Sequence, residues 1–87
     1  MSDLSARVKL PTKEVTMKSV MELSDELKSL MIERDNRLYP SLDNVSCAYV
    51  RLYAMFAVWA DYGLTTDEIK KRLVSEIDSL KNEMAVL

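Results

Sequence analysis

The chain has 87 residues, of which 48% are hydrophobic and 30% charged, and its formal net charge is −2. One Gly and two Pro exclude a collagen-like or low-complexity polymer, and the apolar content excludes a disordered chain. The charge balance argues against a protein that coats nucleic acid, which needs a clear basic excess.

A chain this short buries only about 60–65% of the surface its unfolded form exposes, so small domains lean on disulfides, metals or oligomerisation. Cys47 is the lone cysteine and histidine is absent, so an internal disulfide is impossible and only carboxylate-based metal sites remain. Oligomerisation is what elimination leaves. The first twenty residues hold no continuous apolar run of the kind a secretory leader needs. The stretch 45–60 is interrupted by Arg51 and is too short to span a bilayer. With the lone cysteine, these features lead us to expect a cytoplasmic protein that does not enter a membrane.

Residues 1–15 show no sustained period, and Pro11 holds Leu10 in extended conformations, which predicts a flexible or partner-docked arm ahead of a helical domain over 16–87. Helix 1 is expected over about 16–37. Ser19 and Glu22 have capping-box spacing, with Thr16 as an alternative cap a turn earlier. Val20, Leu23, Leu27 and Leu30, widened by Met31, form its core stripe, extended by Arg34 and Leu38. Ser24, Asp25, Lys28 and Asp35 are placed on the opposite, wet face. Tyr39-Pro40 ends the helix.

Helix 2 is expected over about 42–62, capped by Ser41 or Asp43 and closed by Gly63 in a left-handed conformation. It is apolar nearly all round. Val45, Tyr49, Leu52, Phe56 and Trp59 share one face, and Cys47, Met55, Val58 and Tyr62 a second, with Arg51 among them. Ser46, Val50, Ala54, Ala57 and Asp61 make a third stripe of mainly small residues. Such a helix must be covered on all sides, so we expect it at the centre, with helices 1 and 3 covering two sides and a second copy of the chain, or alternatively a different protein, the third.

Helix 3 is expected over about 65–86, with Thr65 and Glu68 at capping-box spacing. Ile69, Leu73, Ile77, Leu80, Met84 and Leu87 alternate steps of four and three, and this seam is expected to pack on helix 2. Lys70, Lys71, Arg72, Glu76, Asp78, Lys81 and Glu83 fall on its wet side.

Cys47 lies inside a helix with no histidine to activate it, so nucleophilic catalysis finds no support. Glu22 and Asp25 have the three-residue spacing of the Glu-x-x-Glu and Glu-x-x-Asp pairs that hold Mg²⁺ in all-α nucleotide pyrophosphohydrolases of the MazG type, a resemblance that implies a second carboxylate pair on a facing helix. Helix 2 offers only Asp43 and Asp61, far apart, so half a site is present, and the pair reads as first-turn acids complementing the helix dipole. No metal or cofactor is expected.

The segment 62–69 resembles the turn of a helix-turn-helix, with Gly63 at the turn and a capped helix after it, which implies Lys70, Lys71 and Arg72 as nucleic-acid contacts. Trp59 stands four residues before that Gly, where the motif has a small residue. Arg51, the one charge within 45–60, is expected either to pair with a carboxylate of helix 1 or of a neighbouring subunit, or to anchor a small anionic metabolite or nucleotide among the aromatics.

The leading expectation is an all-α, three-helix chain in an oligomeric helical bundle. It is expected to act not as an enzyme but by binding a macromolecular partner, as an adaptor, inhibitor or assembly subunit does. Tyr49, Tyr53, Met55, Phe56, Trp59 and Tyr62 are the expected interface residues. An anion-binding pocket and a dimeric DNA-binding protein are the two alternatives.

Overall fold

The computed structural model describes residues 17–87. The expected arm over 1–15 and the alternative cap Thr16 lie outside the described residues. Three helices follow in chain order: α1 (Val20–Leu38), α2 (Asn44–Asp61) and α3 (Thr66–Ala85), with no strand among the described residues.

Each helix begins where a side chain satisfies backbone donors that the helix itself leaves free. At α1 the Glu22 N–H donates to Ser19 Oγ (3.0 Å) and the Ser19 N–H to Glu22 Oε1 (2.8 Å). At α3 the Glu68 N–H donates to Thr65 Oγ1 (3.2 Å) and the Thr65 N–H to Glu68 Oε1 (2.8 Å). Both are the capping boxes that the sequence spacing predicts. Asp43 caps α2 by accepting from the Ser46 N–H (3.2 Å) and the Ser46 hydroxyl (2.8 Å).

The α1–α2 turn is pinned by Asn44, which is buried. Its side-chain amide donates to Asn36 Oδ1 (2.8 Å) and to the Tyr39 carbonyl (2.9 Å). At the other end of α2, Gly63 has φ +70°, the only positive φ among the described residues. The Gly63 N–H donates to the Ala60 carbonyl (3.0 Å) and the Leu64 N–H to the Trp59 carbonyl (3.2 Å). That pair of bonds is the Schellman motif, which closes the helix and lets the chain turn into α3.

The core is formed by Leu23, Leu27 and Met31 of α1, Ala48 and Trp59 of α2, and Leu73, Ile77 and Leu80 of α3. Leu27 and Leu73 are fully buried, and each such side chain contributes roughly 1.5–3 kcal/mol relative to exposure. Val20, Leu30, Leu52, Met55, Phe56, Leu64 and Ile69 are half-buried against this cluster. Phe56 meets Trp59 edge to face, with ring centroids 5.4 Å apart, the arrangement that ring quadrupoles favour.

The arrangement differs from the sequence expectation in which helix is central. α1 packs against both α2 and α3, while α2 and α3 scarcely touch. The apolar seam of α3 therefore packs on α1 rather than on α2, and Leu87 at its end is exposed. The reason lies in α1, whose inward surface combines the four-step line Leu23–Leu27–Met31 with half-buried positions on both flanks. A helix with so wide an inward surface takes two neighbours. The most apolar helix, α2, is covered on one side only.

Candidate functional site

Two features of this fold are candidates for function: a polar cleft near the end of α1 and the outward face of α2. The cleft holds about 400 Å³ between the last turns of α1, the α1–α2 turn, the start of α2 and Glu83 of α3. Its charged heart is Asp35, only 6% exposed. Arg34 Nε donates to Asp35 Oδ1 at 2.9 Å, and Arg34 Nη1 donates to Glu83 Oε1 at 3.0 Å. Burial pulls the Arg34 guanidinium down, but Asp35 and Glu83 outweigh it and hold its pKa above the ordinary arginine value.

Contrary to the expectation that it lies on the wet face of helix 1, Asp35 is buried. Leu23, Leu27, Met31 and Asp35 form one unbroken line at four-residue spacing, and the carboxylate continues the core stripe at its polar end. The signal that could have found it was Arg34 beside it in sequence, together with Arg51 as the lone charge of helix 2.

Arg51 extends from α2 into the same cleft, with Nη1 3.6 Å from Asp35 Oδ2 and about half of the side chain exposed. The pairing with a helix-1 carboxylate is therefore present. The cleft holds two arginines and two carboxylates, so it carries no net charge to attract an anion. Cys47 is exposed at its rim. Among the described residues no group of three or more His, Cys, Asp or Glu side chains is placed to hold a metal ion.

The predicted interface residues divide. Trp59 is buried in the core, and Met55 and Phe56 are half-buried against it. Tyr49, Tyr53 and Tyr62 are exposed. The Tyr49 hydroxyl accepts from Lys28 Nζ (3.1 Å), and the same ammonium lies 4.3 Å from the ring centroid, which fixes this tyrosine on the boundary between α1 and α2. The Tyr49 hydroxyl, and after it Asp25, hold the Lys28 pKa above its ordinary value.

The outward face of α2 is apolar. Val50 (66% exposed), Tyr53 (78%) and Val58 stand on it, with Ser46, Cys47, Ala54, Ala57 and Ala60 between them. Cys47, Val50, Ala54, Ala57 and Asp61 are spaced three, four, three and four residues apart, the a/d spacing of a seam between paired helices. The predicted stripe of Ser46, Val50, Ala54, Ala57 and Asp61 is likewise exposed along its whole length.

Lys71 and Arg72 are exposed and Lys70 half-buried, one to two turns into α3, behind the first-turn acids Asp67 and Glu68. The Glu68 carboxyl is held below its ordinary pKa, first by the Thr65 N–H and hydroxyl, more weakly by Arg72 and Lys71. In a helix-turn-helix the two helices flanking the turn pack on each other; here both lean on α1 instead.

Among the described residues no helix is long and apolar enough to cross a membrane. Comparison of the chain with protein-family models, with curated proteins and with solved structures yields no match.

Proposed function

We propose that this protein is a small, non-enzymatic helical module that acts by binding protein, with the outward face of α2 as its contact surface. The observation that carries the reading is the exposure of Val50, Tyr53 and Val58 on a helix whose stretch 45–60 contains a single charge. Monomeric soluble proteins rarely leave a continuous apolar patch of more than about 300–600 Å² in water unless it is a contact surface. At roughly 200 Å² for a fully exposed tyrosine, Tyr53 at 78% exposure, with Val50, Val58 and the small residues between them, brings this face to on the order of several hundred Å². The mechanism is occupancy: the face covers, or is covered by, another polypeptide, and no substrate is transformed. A cytoplasmic setting, where the exposed Cys47 stays reduced, accords with this reading.

The test is site-specific photo-crosslinking in the native host, with the photoreactive residue at position 53 and, as a control, at the exposed position 76 on α3. Discrete protein adducts from position 53, self-adducts included, and their absence from position 76 are expected. Equal or absent labelling from the two positions would refute the reading.

A further inference from the structure

The proposed contact surface raises the question of what occupies it, and the following inference rests on that reading. We propose that the occupant is a second copy of this chain, paired through α2 in antiparallel orientation about a two-fold axis close to Ala54–Ala57.

Three observations converge on this. The first is shape. Cys47, Val50, Ala54 and Ala57 run along the middle of the exposed face with seam spacing, and two alanines at its centre let a second helix backbone come close. A face whose seam of Val50 and the small residues is flanked by the bulkier Tyr53 on one side and Val58 on the other is self-complementary under a two-fold rotation. The exposed apolar area, on the order of several hundred Å², is a substantial share of the about 800 Å² per partner that a standard interface buries.

The second is charge. From residue 45 to 61 helix α2 carries two charges, Arg51 and Asp61. In an antiparallel pair that sets Ala54 of one copy against the partner's Ala57, the partner's Asp61 lies level with Val50 and Arg51. The two-fold then repeats the same opposite-charge pair at the other end. A parallel pair would instead stack each charge on its own copy. The Arg51 guanidinium uses one nitrogen toward Asp35, at 3.6 Å, and the side chain is about half exposed, which leaves further donors accessible to a partner carboxylate.

The third is a local mismatch. Asp61 is the last residue of α2, where the helix dipole disfavours a carboxylate, and it makes no ion pair or hydrogen bond among the described residues. The second copy's Arg51 supplies the cation that the last turn of α2 lacks among the described residues.

The test uses the full chain. Sedimentation equilibrium across a dilution series is expected to give a dimer dissociating to monomer. Ala54→Arg, on an exposed position that leaves the core intact, should give a monomer with an unchanged helical circular-dichroism spectrum. Asp61→Lys should weaken the dimer about tenfold, because each of two attractive pairs becomes repulsive. A monomeric wild-type chain would overturn the inference. So would a dimer indifferent to Ala54→Arg, while indifference to Asp61→Lys would overturn the antiparallel register. Failure here is separable from failure of the functional reading: a monomer whose position 53 still crosslinks to another protein refutes the second copy alone.

Discussion

Replacing Asp35 by Ala should be among the most damaging polar substitutions in this protein, and the structure sets its size. The Asp35 side chain is 9% exposed and lies 2.9 Å from Arg34 Nε, whose side chain is itself 14% exposed. Removing one partner of a buried ion pair typically costs about 3–5 kcal/mol, because the other charge stays buried without compensation. Arg34 retains Glu83 at 3.0 Å, which places the expected loss near the lower end, about 3 kcal/mol. Arg51 contributes less: it is half exposed and 3.6 Å away, so Arg51→Ala should cost less than about 1 kcal/mol. Urea unfolding followed by circular dichroism, at one fixed protein concentration, measures both. A domain of this size has on the order of 4–13 kcal/mol in total, and a loss of about 3 kcal/mol lowers the melting temperature by roughly 12–24 °C. Equal costs for the two variants, or an Asp35→Ala cost below about 1 kcal/mol, would show that Asp35 is not the buried anchor described here.

Gly63→Ala should destabilise by about 1–2 kcal/mol through its φ of +70° alone. A Cβ there meets nothing within 4 Å, so Gly63→Asn, which tolerates the left-handed region, should cost less; equal losses from Ala and Asn, read by thermal melts, would point to a steric cause instead. Acid should also destabilise the fold. Asp43 is held below its ordinary pKa by the Ser46 hydroxyl and then by backbone N–H groups, and Glu68 by the Thr65 N–H and hydroxyl. For Glu26, burial pushes the pKa up but Lys18 and Lys81 together outweigh it. Groups with folded pKa values below the unfolded ones add stability that is present above about pH 4 and lost as pH falls through the folded values. The melting temperature should therefore hold from neutrality to about pH 5 and drop below about pH 4. Asp43→Asn, which keeps the cap without the titration, should flatten part of that drop, and an unaltered profile would remove Asp43 from the account.

The helices and most of their ends were legible because they are set locally, although α1 begins at Val20, four residues later than expected, behind the Ser19 cap. Ser19–Glu22, Thr65–Glu68 and Gly63 each act within a few residues, and each does in the structure what its spacing predicts. Which helix becomes the centre is set by tertiary competition, and here a reading based on apolar content went wrong. α2 has the most apolar sequence, yet α1 holds the middle, because Leu23, Leu27 and Met31 are flanked by further apolar positions on both sides and end in a carboxylate that two arginines neutralise. Asp35 was misplaced for the same reason. A charge on a core line looks like a break in the stripe until its partners from other turns and helices are known, and Arg51 stands sixteen positions away in sequence. The predicted interface divided along the same boundary. Trp59, Met55 and Phe56 were needed to attach α2 to α1, since one face of a single helix must supply the whole of that contact. That requirement leaves Val50, Tyr53, Val58 and the alanines between them facing outward. A helix apolar on every side but packed on only one has stability still to gain, and its uncovered side, with one cation and one anion spaced for an antiparallel copy, is where assembly would gain it.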